Sequence, residues 1–218
     1  MTDALRRPNG LLAAGGGLSV RRLVDAYSRG CFPWFSEGEP VLWWSPDPRM
    51  VLLPGELHVP RSLARRIRRG DISITADLAF ADVMTACAEP RDDQGGTWIT
   101  DEMMAAYRAL HVAGHAHSIE AWQDGLLVGG LYGVSLGRAF FGESMFTRVP
   151  DASKVALVTL VAQLRRWGFG VIDCQMKTDH LARFGAREIS RAAFVGQLDL
   201  LVAQAAPPNP WRVQPYGR

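Results

Sequence analysis

The sequence predicts an α+β fold: a small aromatic α/β lobe at the N-terminus, then a larger domain with a mixed, mainly antiparallel sheet flanked by helices. Three observations carry that expectation. Trp34, Trp43 and Trp44 crowd the first 50 residues together with Pro33, Pro40, Pro46 and Pro48, and the prolines forbid long regular elements there. Two runs, HSIEAW and LLVGGLYGVSL, flank Asp124-Gly125, a dipeptide that strongly marks a two-residue hairpin. A long helical pattern with Val155, Leu157, Val158, Val161 and Leu164 on its apolar face then precedes a short buried run, GVIDCQ. The change of texture falls near Asp47 to Met50, which divides the chain into a lobe over 1–50 and a main domain over 51–218.

Taken in order, Ser19 is placed to cap a short helix through Leu23, Ala26 and Tyr27, and Gly30 to close it. MVLLPGELHV reads as a strand and turn, and Pro60 suits the first position of a helix RSLARRIRR. Asp77 is expected to open a helix ending before Pro90, and Thr100 another that stops at Gly114. HSIEAW, LLVGGLYGVSL and AFFGESMF form a three-strand meander. Asp151 is expected to cap the long helix and Gly168 to end it. A strand at GVIDCQ, a helix around His180 to Phe184, a strand over 187–189 and a Ser190-capped helix follow, with an extended Pro-rich tail from Pro207. Antiparallel strands, a helix and then a parallel strand are the order of an acyltransferase-type core.

Composition narrows the classes of function. With 48 % hydrophobic and 21 % charged residues over 218 positions, a sizeable core is expected and global disorder is excluded. Lys and Arg number 24 against 22 Asp and Glu, so any nucleic-acid binding must come from a local patch rather than from net charge. Three spaced cysteines (Cys31, Cys87, Cys174) make a disulfide framework improbable and a reducing, cytoplasmic setting the default. MTDALRRPNG has no apolar signal core, and no apolar stretch reaches membrane-spanning length, so neither export nor a membrane partner is expected.

Several residues carry chemistry. On a strand, Asp173 and Gln175 share a face, so an acid and an amide emerge together from a buried run. They read either as an acid/base and positioning pair or as a satisfied polar pair at a strand end. Glu143, in the strand GESMF, is suited to hold a cationic group, or equally to a structural ion pair. Arg61, Arg65, Arg68 and Arg69 share one face of their helix, which is a phosphate-backbone footprint or a solvated surface. His115 and His117 have ligand-like spacing without a third ligand motif, and no metal site is expected. Cys174 with His180 makes an unpersuasive nucleophile pair. A coenzyme A cradle needs glycines ahead of the long helix; here Pro150 and Asp151 stand instead, and the aspartate repels an anion.

The strings RRPNGLLAAGGGLS, GCFPWF, LWWSPDPR, GTWIT, HAHSIEAW, LVGGLYGV, GESMF and IDCQ, in that order, resemble the leucyl/phenylalanyl-tRNA–protein transferases from about Pro8 to the final helix. The resemblance implies a small N-terminal domain and an acetyltransferase-like (GNAT) domain. It implies an enzyme that moves Leu or Phe, and Met less well, from aminoacyl-tRNA to proteins beginning with Arg or Lys, marking them for the N-degron pathway. Aminolysis of an ester needs no metal, cofactor or covalent intermediate; it needs positioning, a proton acceptor and oxyanion stabilisation. By the resemblance, Asp173 orients or deprotonates the attacking amine, Gln175 holds it or the ester, and Glu143 helps bind the acceptor or the donor's amino group. Leu131, Phe140 and Ile172 would line the apolar pocket, Trp34 and Trp98 would stack on the terminal adenosine or close the mouth, and the arginine stripe would meet the acceptor stem. Two rival readings stand beside it: a coenzyme A-dependent N-acetyltransferase and a non-catalytic tRNA-binding protein. Monomer is the default oligomeric state.

Overall fold

A computed structural model describes residues 4–90, 98–214 and 216, and it is mixed α/β with two sheets. The first comprises β1 (Leu11–Ala14), β2 (Phe32–Pro33) and β3 (Leu42–Trp44), with β3 central and antiparallel to both neighbours. Between β1 and β2 lies α1 (Val20–Ser28). It begins where its sequence says it must, because the Ser19 hydroxyl accepts from the Arg22 N–H at 3.4 Å. Gly30, at φ +76°, turns the chain out of its last turn.

The second sheet opens with β4 (Arg49–Leu52), after which come α2 (Arg61–Arg69), β5 (Ser73–Ala76), α3 (Phe80–Ala88) and α4 (Asp101–Val112). The meander is β6 (Ala116–Gln123), β7 (Leu126–Leu136) and β8 (Ala139–Thr147), followed by α5 (Ala152–Arg166), β9 (Val171–Asp173), α6 (Asp179–Ala182), β10 (Arg187–Ile189) and α7 (Arg191–Leu201). The strand order is β10-β4-β9-β8-β7-β6-β5, and the pairs are antiparallel except β8–β9, which run parallel across α5. Asp124 (φ +52°) and Gly125 (φ +77°) make the turn between β6 and β7 that their sequence predicts.

Alternation along the strands sorts side chains between two cores. On one face, Tyr132, Val134 and Phe141 pack with Leu23 and Tyr27 of α1, Val83 of α3, and Met103 and Tyr107 of α4. On the other, Ile119, Leu131, Phe140 and Ile172 lie beneath Val155, Val158, Val161 and Leu164 of α5, joined by Leu63 of α2. The helix comes very close to the sheet at Gly129, where a Cβ would sit 2.6 Å from that of Ala152.

Some expectations need correction. Asp77 does not cap α3: at φ +58° its carboxylate accepts from the Ser118 N–H (3.0 Å) and bonds His117 Nδ1 (2.8 Å), and the helix begins later, after Ala79. Asp151 stands at the N-cap of α5 without capping it, because Lys154 Nζ takes its carboxylate at 2.7 Å. Pro60 is the N-cap of α2 rather than its first residue. β5 was not expected, since SITA is too short to display a period. Ser190 and Thr100 cap as predicted, accepting from Ala193 N–H and Met103 N–H.

Candidate active site

The site is assembled around Glu143, and a bulge puts it there. Tyr132 pairs with Ser144 but Gly133 pairs with Gly142, so Glu143 is the extra residue of β8. Its carboxyl turns toward two helices on one face of the sheet. Tyr27 Oη of α1 donates to Oε1 at 2.7 Å, Tyr107 Oη of α4 donates to Oε2 at 3.0 Å, and the two phenols also contact each other. Gln175 Nε2 donates to Oε1 at 3.2 Å. Burial pushes the Glu143 carboxyl up to about 8; the two tyrosine donors oppose the shift and the nearby Asp173 charge adds to it. Burial and the facing carboxylate in turn hold both phenols well above their ordinary value.

Asp173 and Gln175 are brought together, though not by sharing a strand face. β9 ends at Asp173, and Gln175 adopts a left-handed backbone at φ +60°. Its N–H donates to Asp173 Oδ1 at 2.9 Å. The Asp173 carboxylate is otherwise occupied by Arg49, whose Nε and Nη2 reach Oδ1 and Oδ2 at 2.7 and 2.6 Å, and both side chains are fully buried. Asp173 reaches Gln175 through that backbone bond while both of its oxygens also accept from Arg49.

Arg49 is a residue of this cluster that sequence reasoning missed. Its Nη1 donates to the Gly30 carbonyl at 3.1 Å, and its guanidinium lies 4.8 Å from the ring centroids of both Phe32 and Phe194. It thus joins the lobe, the large sheet and α7. The signal was a single charge inside the otherwise apolar strand RMVL, which demands a buried partner. In the sequence Tyr27 reads only as a position of its helix, and Tyr107 is not singled out; both are donors here.

Leu131, Phe140 and Ile172 lie together in the cluster beneath α5, on the opposite face from Asp173 and Tyr132. The half-buried Met145 and Cys174 pack against that cluster, two residues from Glu143 and one from Asp173, so apolar surface runs up to the rim of the polar group. Trp34 is 41 % exposed on the lobe, edge-on to Trp44 at 5.6 Å, and Trp98 is half-buried against the other core. Gly96 and Thr97 of the GTWIT string lie outside the described residues. On α2, Arg61, Arg65, Arg68 and Arg69 are exposed while Leu63 faces inward. Asp71 partly neutralises the stripe, pairing with Arg69 at 3.4 Å and with the adjacent Arg66.

The chain matches the family model described as leucyl/phenylalanyl-tRNA protein transferase over residues 51–199, and the model of that family's N-terminal domain over residues 16–47. A leucyl/phenylalanyl-tRNA–protein transferase of Nitrosospira multiformis is 64 % identical over 91 % of this chain and 86 % of its own length. Those of Nitrosomonas europaea and Thiobacillus denitrificans are 59 % and 61 % identical, over 97 % and 95 % of this chain and 89 % and 91 % of theirs. Among solved structures, the GCN5-related N-acetyltransferase from Kribbella flavida aligns distantly, with a TM-score of 0.36 and 12 % identity over 74 % of this chain and 57 % of that one.

Proposed function

The chain belongs to the leucyl/phenylalanyl-tRNA–protein transferase family, and from that premise we propose that it moves Leu or Phe, and Met less efficiently, from aminoacyl-tRNA to the α-amine of proteins beginning with Arg or Lys. The acceptor nitrogen attacks the ester carbonyl, the tetrahedral intermediate collapses, and the bond to the ribose oxygen breaks. The amine gives up one proton and the ribose hydroxyl gains one, so the reaction balances without a further reactant.

The observation that carries this reading is the joining of Glu143, Gln175 and Asp173 at one rim. Gln175 gives an Nε2 hydrogen to Glu143, which leaves the Gln175 Oε1 to accept from the attacking amine. Asp173 orients or deprotonates the attacking amine, and its bond from the Gln175 N–H supports the orienting role. Glu143 binds an amino group of donor or acceptor. Its carboxyl, near 8, is matched to an α-amine of about 7.7–8.0, so a proton passes between them at little cost. Leu131, Phe140 and Ile172 receive the donor side chain beneath α5. An apolar pocket discriminates by only about 1–3 kcal/mol per methylene, which suits tolerance of Met. Trp34 and Trp98 stack on the terminal adenosine or close the mouth, and Arg61, Arg65, Arg68 and Arg69 meet the acceptor-stem backbone. The Asp151 carboxylate at the start of α5 disfavours a coenzyme A pyrophosphate there.

The same proposal takes 51–218 as a GNAT-like domain, supported by the β6–β8 meander, α5, and β9 parallel to β8, and 1–50 as a separate small domain, supported by its own sheet. A cytoplasmic setting follows from the tRNA substrate; among the described residues no helix is long and apolar enough to cross a membrane. Incubation with leucyl-tRNA and an Arg-initiated protein is expected to give Leu-extended product by mass spectrometry, and absence of product from pH 7 to 9 would overturn the proposal.

A further inference from the structure

We propose that Trp211, in the segment after α7, is a specificity-determining residue for the donor amino acid: it backs Phe140 and sets the depth of the apolar pocket under α5. The inference rests on the assignment of Phe140 to that pocket made above. Although it belongs to a Pro-rich tail, Trp211 is only 3 % exposed. Its ring lies flat on His117, with centroids 3.8 Å apart and planes 5° from parallel. Trp167 meets it edge-on at 5.0 Å, and Phe140 and Phe169 lie at 6.0 and 6.5 Å. Trp211 thus belongs to the same cluster as Leu131, Phe140 and Ile172. Beyond it the chain stays on α5, where Val213 packs against the cluster and the Gln214 N–H donates to Gln163 Oε1 at 3.1 Å.

Phe140 has little room to yield. A Cβ on Gly133 would lie 2.5 Å from Phe140 Cζ, so the ring rests on bare backbone on that side. Gly133 faces His117 across the β6–β7 pair, and His117 is itself fixed by the bond from Nδ1 to Asp77. Phe140 therefore lies between the Gly133 backbone and a Trp211 ring whose stacking partner is held by Asp77. Discrimination in an apolar pocket depends on how far its end wall gives, and this wall is stiff on both sides. On this proposal a donor as large as Trp is disfavoured, because Trp211 already fills space behind Phe140. A cavity of about 430 Å³ has Trp211, His117 and Asn209 in its lining.

The test compares kcat/KM for leucyl-, phenylalanyl- and tryptophanyl-tRNA with an Arg-initiated acceptor, in the parent protein, Trp211→Ala and Trp211→Phe, each with and without added indole. Trp211→Ala is expected to raise the Trp:Leu ratio about tenfold or more, and indole to return it to the parent value. A Trp:Leu ratio unchanged in the variant, or shifted but indifferent to indole, overturns the proposal. If Trp211→Ala does not fold, Trp211→Phe carries the same measurement, with a smaller rise expected and an unchanged ratio equally fatal. Phe140→Ala isolates the underlying assignment: a parental selectivity pattern there removes Phe140 from the pocket. A parent protein that transfers none of the three removes the aminoacyl-transfer reading itself.

Discussion

Arg49→Met is expected to be among the most damaging substitutions in the molecule that touches no substrate. It deletes two charge-assisted bonds to Asp173, one bond to the Gly30 carbonyl and two ring contacts, and it leaves a fully buried carboxylate without its cation. Breaking a buried pair from one side costs about 3–5 kcal/mol, because the remaining charge has neither water nor partner. For a chain of this length each kcal/mol lowers the thermal midpoint by about 2–4 °C, so a fall of roughly 6–20 °C is expected. Arg49→Met combined with Asp173→Leu removes both charges and is expected to recover most of that stability. It is not expected to restore full transfer, because Asp173→Leu takes away the acceptor of the Gln175 N–H. Urea unfolding and thermal melts measure the first quantity; kcat for leucyl transfer, taken well below the lowered midpoint, measures the second. A single variant within about 1 kcal/mol of the parent, or a double variant with full turnover, would refute the reasoning.

Glu143→Gln is expected to flatten the dependence of stability on pH. The folded protein keeps the Glu143 proton up to about 8 whereas the unfolded chain releases it near 4.5, so this contribution is complete below 4.5 and is lost as pH rises through 8. The slope is at most about 1.4 kcal/mol per pH unit, less after solvent screening, and urea midpoints at pH 5, 6.5 and 8 read it; equal slopes in parent and variant would count against it. Gly133→Ala is expected to destabilise by about 1–3 kcal/mol or more, since its Cβ would lie 2.2 Å from the Phe141 carbonyl oxygen. Gly196→Ala, in α7 with nothing within 4 Å, is expected instead to stabilise by about 0.5–1 kcal/mol, and thermal midpoints moving in the same direction for both glycines would contradict the packing argument. Replacing Arg65 and Arg68 with Ala is expected to weaken tRNA binding and lower the slope of log K against log salt by about 0.7–0.9 for each phosphate no longer neutralised, measured by filter binding from low to moderate salt.

What the sequence made legible was local. The Ser19 cap, the Ser190 cap and the Asp124-Gly125 turn each depend on residues within a few positions, and chemistry at that range can be read from a string. Asp77 failed for an instructive reason: a carboxylate placed to cap a helix was claimed by His117 and Ser118, 40 and 41 residues away. The polar site was half legible in the same way. Its acid, amide and second carboxylate were named from their strands, but Arg49 stands 124 residues from Asp173, and Tyr27 stands 116 from Glu143. No window along the chain contains such a pair. Glu143 faces Tyr27 and Tyr107 through a one-residue bulge, which a regular alternation cannot foresee.

The pairing of Asp173 with Gln175 shows what holds a functional geometry that the local backbone would not choose. A left-handed conformation at a non-glycine residue costs on the order of 1–3 kcal/mol and persists only when its surroundings over-determine it. Here both backbone groups of Gln175 are tied: its N–H to Asp173, and its carbonyl to the Met50 N–H at 3.1 Å, while Met50 in turn accepts from the Cys174 N–H at 2.8 Å. Neighbouring residues of β4 therefore set the site from outside it, Met50 through its backbone and Arg49 through its side chain. Because Arg49 also grips the Gly30 carbonyl and is flanked by Phe32, the docking of the lobe and the alignment of Gln175 share one anchor. A change that loosens the lobe at Phe32 must then reach the Gln175 amide, even where Glu143, Asp173 and Gln175 themselves are intact.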